Sequence, residues 1–227
     1  MASAHNLRVV EPLPPPPDGE VAVRPHAGPS PLYTTLAAVD IGSFGLLGDE
    51  HSQLHQRHQM HARLAEACEI TRIPWWDCYR EDRGDGALII APPDVPPDDF
   101  LDPFAHHLTA VLRRSNRLAS PAARLRLRVA VHAGHVHRDA HGVAGQAVLH
   151  LFRLLEAAVF KKALADGSAD LGLIVSDRLY DDAVARGGLI NPDAYRPLRV
   201  SCKETRARAW LWSSVPAPGA AGPTQAW

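Results

Sequence analysis

The run Leu-Ala-Ala-Val-Asp-Ile-Gly-Ser-Phe-Gly, residues 36–45, ends an apolar stretch on Asp40 and then turns on Gly42 and Gly45. Arg83-Gly84-Asp85-Gly86 sets a second aspartate in a turn composition, with the apolar run Ala-Leu-Ile-Ile directly behind it. An aspartate closing a buried strand constrains the fold, because an unpaired buried carboxylate is costly. The run around Asp40 holds no counter-charge for it. A helix-like and a strand-like stretch separate the two aspartates, a layout that can bring both carboxylates together on neighbouring strands. There they could hold divalent cations, which take oxygen ligands. Taken alone, Asp85 reads first as a hairpin turn residue.

The rest of the chain supports one domain between two irregular ends. Residues 1–31 are proline-rich without periodicity and read as a flexible arm, and residues 214–227 read as a similar tail. Residues 33–40 form a short apolar run that suits a buried strand. Residues 52–69 have helical spacing, with Leu54, Met60, Leu64 and Ala67 on the inner side. Residues 73–80 are aromatic and β-prone, and with the apolar run 87–91 they predict a hairpin carrying Asp85 at or near its tip. Residues 98–118 are helical, with Phe100, Phe104, Leu108, Val111 and Leu112 at spacings of three or four. Residues 125–133 alternate apolar and basic, as a strand with one buried face does. A glycine turn over 142–148 opens a helix reaching about 165. A strand at 171–175, a helix from Ser176-Asp177 to 185, and a hairpin over 195–202 and 205–212 complete the order. Strands and helices in that order predict an α/β sandwich with a mixed sheet.

Composition removes several classes. A chain of 227 residues buries one good core but not two full domains. The formal net charge is -1 with the signs interspersed, so nothing points to nucleic acid or to a membrane surface. Cys68, Cys78 and Cys202 form no Cys-x-x-Cys pair, which fits a reducing, cytoplasmic setting rather than a disulfide or zinc framework. No apolar run approaches the roughly 20 residues of a transmembrane helix, and the N-terminus has no signal-peptide pattern.

Several stretches together carry a resemblance. Val39-Asp40-Ile41-Gly42-Ser43-Phe44 resembles the first metal-binding strand of class III nucleotidyl cyclases, the adenylate/guanylate cyclase catalytic domain. Arg83-Gly84-Asp85-Gly86 is similar to that family's second metal hairpin, and Leu127-Arg128-Val129-Ala130-Val131-His132-Ala133-Gly134 to the following core strand. Gly145-Gln146-Ala147-Val148, continuing to Arg153-Leu154, resembles its next glycine turn and helix. Leu173-Ile174-Val175-Ser176 and Val200-Ser201-Cys202-Lys203 resemble its late strands. The likeness spans the domain, taken as residues 32–213, in the expected order. It implies a ferredoxin-like mixed sheet of the cyclase or palm type, with helices packed on it, in a divergent bacterial member.

The resemblance implies chemistry. A nucleoside triphosphate is converted to a 3′,5′-cyclic nucleotide plus pyrophosphate, with two Mg2+ or Mn2+ ions activating the attacking oxygen and neutralising the leaving one. Asp40, Asp85 and the Ile41 carbonyl would hold the metals. Gly42, Ser43, Phe44, Gly45 and Gly84 would let backbone approach the nucleotide, and Gly145 would open a second anion seat. Arg153 would stabilise charge on the phosphate in flight, and Lys203 would bind the polyphosphate tail. In the family the site is shared, so Arg153 and Lys203 would come from the chain opposite the aspartates, which implies a homodimer.

Three positions depart from the family pattern. The ribose-orienting asparagine is Leu149, the purine-selecting lysine is Glu81, and the partner acidic position is Gly142. Base selection is therefore not the usual ATP or GTP pattern. Cyclases that make pyrimidine cyclic nucleotides in bacterial antiphage signalling also depart at the base-selecting positions, so the resemblance leaves that class open. A degenerate cyclase fold that binds nucleotide or a partner without turnover is the alternative that Leu149 favours. A diguanylate-cyclase or polymerase palm ranks below both, because Gly86 stands where that group carries an acidic residue.

Other residues read more plainly. His51, His55 and His58 can share a helix face, and His132, His135 and His137 surround a strand end, but 13 histidines make chance clusters common. Trp75 and Trp76, adjacent in a strand, predict one core residue and one dimer contact. Arg124, Arg126 and Arg128 predict a solvated or interfacial stripe. Arg153 on an exposed helix face and Lys203 on an edge strand have equally plain solvated readings.

Overall fold

A computed structural model describes residues 31–215 except 121–122, 166–167 and 188–189. The arm and tail expected at the two ends fall almost wholly outside those residues. In chain order the elements are β1 (Leu32–Ile41), α1 (Glu50–Thr71), β2 (Tyr79–Asp82), β3 (Gly86–Ile90), α2 (Asp102–Asn116), β4 (Leu127–Asp139), β5 (Gly142–Ala144) and α3 (Gln146–Leu155), then α4 (Ala158–Ala163), β6 (Leu171–Ser176), α5 (Asp177–Arg186), β7 (Arg196–Cys202) and β8 (Thr205–Ser213). The strands form one mixed sheet in the order β2-β3-β1-β4-β6-β8-β7, with β5 paired to the end of β4. Among the described residues only β4 and β6 run parallel; the other pairs are antiparallel.

Both faces of the sheet are covered, which explains why β1, β3 and β6 read as continuous apolar runs rather than alternating ones. On one face Ala37, Val39, Ile41, Val129 and Leu173 pack with Met60 and Leu64 of α1, Phe104 and Leu108 of α2, and Leu179 of α5. On the other, Leu36, Ala38, Ala130, Ile174 and Leu211 pack with Leu151 and Leu154 of α3 and Phe160 of α4. Asp102, buried at the start of α2, accepts hydrogen bonds from the Tyr195 hydroxyl (2.6 Å) and the Asn191 amide (2.7 Å), tying that helix to the entry of β7.

Local physics moved several boundaries. Asp49 caps α1 by accepting from the Ser52 amide, and Arg72 in the left-handed region ends it. Leu54, expected inside α1, is exposed; Gln56 is buried there instead and donates to the Ala123 carbonyl at 2.8 Å. The stretch expected as strand from residue 73 first turns, with the Pro74 carbonyl accepting from the Asp77 and Cys78 amides, so β2 starts at Tyr79. Trp75 is buried and Trp76 is 82% exposed, a split set by that turn rather than by strand alternation. β4 runs on to Asp139 and folds back as β5, an element the sequence reading missed. The helix expected to reach residue 165 breaks at Glu156 and Ala157 into α3 and α4. The break lets Leu164 sit directly on Gly172 of β6, where an added Cβ would stand 2.2 Å from Leu164 Cδ1.

Candidate functional site

A single cross-strand row organises the site. Asp40 is in register with Gly86 of β3 on one side and Arg128 of β4 on the other; Arg128 pairs with Gly172, and Gly172 with Ser213. In-register residues share a face, here the α3/α4 face. Glycines on both flanks leave the two charged side chains without bulky neighbours in the row. Arg128 grips Asp40 with both prongs, Nε donating to Oδ1 at 2.7 Å and an Nη to Oδ2 at 2.8 Å. The pair is mostly buried, at 19% and 16% side-chain exposure. Burial pushes the Asp40 carboxyl above its ordinary range; Arg128 opposes that strongly, Lys161 adds a weaker opposing pull, and Asp85 adds repulsion.

The counter-charge absent from the run around Asp40 is thus supplied from the basic stripe. That corrects the reading of Arg128 as solvated or interfacial. The alternation of residues 124–128 carried no sign of it, because the partnership depends on the β1–β4 register.

The β2–β3 hairpin is stitched to the same row. The Ile41 amide donates to the Asp85 carbonyl at 2.8 Å, and a Cβ on Gly86 would lie 2.2 Å from the Val39 carbonyl oxygen, so only glycine fits there. Asp85 itself is exposed at the hairpin turn. Gly84, at φ 83°, donates its amide to Asp82 Oδ1 at 2.7 Å. Asp82 also meets Arg57 Nε at 2.8 Å and His61 Nε2 at 2.7 Å, which fastens the hairpin to α1. Burial pushes the Asp82 carboxyl upward, but the hydrogen bonds from Arg57, the Gly84 amide and His61 outweigh it and hold it at about 2. Glu81 accepts from the Tyr79 hydroxyl at 3.3 Å and pairs with Arg83 at 3.0 Å, so its charge is turned to its own hairpin.

After Asp40 the chain reverses through Gly42, whose amide donates to the Arg126 carbonyl at 2.8 Å, and Ser43, at φ 64°. A 3-10 turn, Phe44–Leu46, follows and leads through Gly48 into α1. Ser43 in the left-handed region is a strained choice for a non-glycine residue.

The remaining predicted site residues lie elsewhere. Gly145, at φ 140°, opens α3 against the His135 carbonyl, 3.1 Å from an added Cβ. His135 is seven residues beyond Arg128 on β4, about 23 Å of strand. Leu149 is 48% exposed on α3. Arg153 is nearly buried and pairs with Glu204 at 3.1 Å in the β7–β8 turn, beside Lys203 at φ 49°. That turn closes the end of β8 opposite Ser213, the member of the Asp40 row, about 27 Å of strand away. Among the described residues no hydrogen bond or ion pair joins Arg153 or Lys203 to Asp40 or Asp85. The structure therefore groups Asp40, Asp85 and Arg128 in one place, and Arg153, Lys203 and Glu204 in another.

The donor set near Asp40 consists of hard oxygens: two carboxylates and the Ile41 carbonyl. Among the described residues no group of three or more His, Cys, Asp or Glu side chains stands ready for a metal ion. Two carboxylates suit a cation that takes its other ligands from water and phosphate, as Mg2+ usually does, rather than an all-protein cage. The histidines among the described residues form no such site. His132 Nδ1 pairs with Ser176 Oγ at 2.8 Å, and its ring packs on His150. Burial, with smaller contributions from His150 and Arg178, pushes the His132 imidazole down to about 4, so it is neutral at physiological pH.

The fold resembles those of known cyclase domains. The fold is that of an adenylate/guanylate cyclase/hydrolase from Silicibacter pomeroyi, with a TM-score of 0.58 and 18% identity over 82% of this chain and 98% of that one. The guanylate cyclase domain of RhGC from Catenaria anguillulae, solved with GTP, aligns at a TM-score of 0.56 and 18% identity over 82% and 98%. The guanylyl cyclase Cya2 gives 0.56 and 16% over 82% and 93%. No protein-family model and no curated protein matches the sequence. The chain has the class III nucleotidyl cyclase fold. Among the described residues no helix is long and apolar enough to cross a membrane.

Proposed function

We propose that the chain is a divergent nucleotidyl cyclase that converts a nucleoside triphosphate to a 3′,5′-cyclic nucleotide and pyrophosphate. The observation that carries this reading is Asp40, a mostly buried carboxylate at the end of β1 in a cyclase fold, with the Asp85 hairpin stitched beside it. Mg2+ or Mn2+ ions held by Asp40, Asp85 and the Ile41 carbonyl would polarise the attacking 3′-hydroxyl and the departing phosphate oxygens. A cation held by Asp40 would leave Arg128, now paired with that carboxylate, free to bind a phosphate oxygen of the substrate. The separation of Arg153 and Lys203 from the aspartates within one chain supports a homodimer in which each chain lends those two groups to its partner's site. Leu149 and Glu81 leave sugar and base selection unlike that of ATP- or GTP-selective cyclases, which supports a different base and a role in bacterial signalling or antiphage defence.

A second reading, nucleotide binding without turnover, is favoured by Leu149 and by the Glu204 clamp on Arg153. Purified protein incubated with each of ATP, GTP, CTP and UTP and Mn2+ decides between them by mass spectrometry. A cyclic product that disappears in Asp40→Ala and Asp85→Ala is the expected result. A folded dimer that yields none from any of the four sinks the cyclase reading.

A further inference from the structure

A cavity of about 580 Å3 opens between α2, the turn entering β7 and the end of β8. Its volume falls within the roughly 300–1,000 Å3 of small-molecule sites. Neither Asp40, Asp85 nor Arg128 lines it. It adjoins Ser213, the member of the Asp40 row that stands three strand spacings from Asp40, about 14 Å away.

His106, Thr109 and Arg113 follow one another on α2 at spacings of three and four, so they share the helix face that lines the cavity. The His106 ring stands edge-on to Trp212, with ring centres 5.3 Å apart. Arg113 donates from one Nη to the Ser214 carbonyl at 2.6 Å, which fixes its guanidinium at the wall and leaves its other N–H groups uncommitted. Thr109 is 6% exposed, and its hydroxyl has no hydrogen-bond partner. Thr71 on α1 shows the ordinary solution, donating to the Ala67 carbonyl four residues back at 2.7 Å. A buried hydroxyl left unsatisfied is costly, so the orphan in this wall marks a place that a bound acceptor completes.

The strand edge supplies a further donor. β7 begins at Arg196, opposite Leu211, so β8 has no strand on that side beyond the pair. Ser214 turns its amide to the Leu171 carbonyl of β6; by the alternation of an antiparallel ladder, Ser213 turns its amide to the open side. Ala194, Trp212 and Val215 add apolar surface. Leaving His106 aside, the charged wall residues are Arg113 and Arg196 against Asp193, one net positive charge. That balance suits a monoanion better than a polyphosphate. We propose that the cavity binds a small organic monocarboxylate. Its carboxylate is held by Arg113, the Thr109 hydroxyl and the Ser213 amide, and its apolar body lies against Ala194, Trp212 and Val215. Binding there is independent of turnover at Asp40.

Calorimetric titration of the full chain with benzoate and with hexanoate, at neutral pH and without divalent cations, tests the site. Wild type should bind at least one of them saturably, one per chain, and should bind benzamide more weakly than benzoate. Arg113→Ala should weaken binding by about tenfold, the loss of a charge-assisted contact. Thr109→Val keeps the shape of the side chain and removes only the hydroxyl, so it should fold as wild type and bind about tenfold more weakly, the worth of one hydrogen bond to a charged group. Arg114→Ala, next along α2 and paired with Glu66, should bind as wild type. Wild-type affinity in either Arg113→Ala or Thr109→Val overturns the proposal. So does an equal loss in Arg114→Ala, benzamide binding as tightly as benzoate, or no binding of either carboxylate by wild type.

Discussion

Arg128 holds both carboxylate oxygens of Asp40 across the β1–β4 ladder, at 2.7 and 2.8 Å, between glycines at positions 86 and 172 of the same row. The pair solves a folding problem: a strand that must be apolar on both faces ends on an acid, and the guanidinium makes that acid tolerable. On the proposed cyclase reading, a cation binding at Asp40 would free the arginine.

Removing one partner of a mostly buried pair leaves the other uncompensated. Arg128→Ala should therefore lose about 2–4 kcal/mol of stability in urea unfolding, whereas the double variant Asp40→Asn/Arg128→Met should recover much of it. A loss below half a kcal/mol in the single variant would mean that the pair is solvated.

Cation binding should appear as stabilisation. Mn2+ at a hundredfold excess over its dissociation constant should stabilise wild type by about 2.7 kcal/mol, read as a rise in melting temperature. Asp40→Ala should show no such rise. A similar rise in both would place the cation elsewhere.

Gly86→Ala puts a methyl group 2.2 Å from the Val39 carbonyl oxygen, a backbone atom that cannot rotate away. A loss of about 2–3 kcal/mol is expected from the forced backbone shift, with the hairpin amides exchanging faster than the rest of the sheet. Wild-type stability in this variant would contradict the close approach of β3 to β1.

Asp82 fastens the hairpin to α1, and its carboxyl is held at about 2 against an ordinary 3.8. A depressed carboxyl contributes stability that is present above the ordinary value and lost as pH falls toward the folded one. Wild type should thus lose more stability than Asp82→Asn between pH 4 and pH 2. At pH 7 the variant should be less stable by about 1 kcal/mol, a modest figure because the pair is partly exposed. Parallel pH profiles for the two proteins would remove Asp82 from this role.

Leu149 is exposed, so Leu149→Asn should fold as wild type. If the sugar end was lost with the family asparagine, the variant should gain about tenfold in cyclic product, the worth of one hydrogen bond. Unchanged product with unchanged stability would show that the ribose is oriented by other groups.

Much of the fold was legible in the residues themselves. Two-sided burial of β1 and β6 shows as unbroken apolar runs, and the glycine-bounded turn at 83–86 announces its hairpin, because strand period and turn chemistry are local. Residues 142–145 misled for the converse reason: Gly142 signals a turn, but the turn serves a β4–β5 pairing, and a three-residue strand has too little period to see. Gln56 in place of Leu54 and the α3–α4 break were likewise decided by what lay across the interface.

By itself the sequence determined that a carboxylate closes the first strand, that a second sits in a glycine-rich hairpin, and that helices and strands follow in a cyclase-like order. It did not determine what neutralises Asp40, since Arg128 reads as one of three equivalent basic residues until strand register selects it. Nor did it show that Arg153 pairs with Glu204 far along β8 from the Asp40 row, or that Leu164 lies against Gly172 with Lys161 lining a cavity beside Arg128. Those facts depend on contacts between residues distant in the chain. Register and packing set them, and only the folded sheet carries that information.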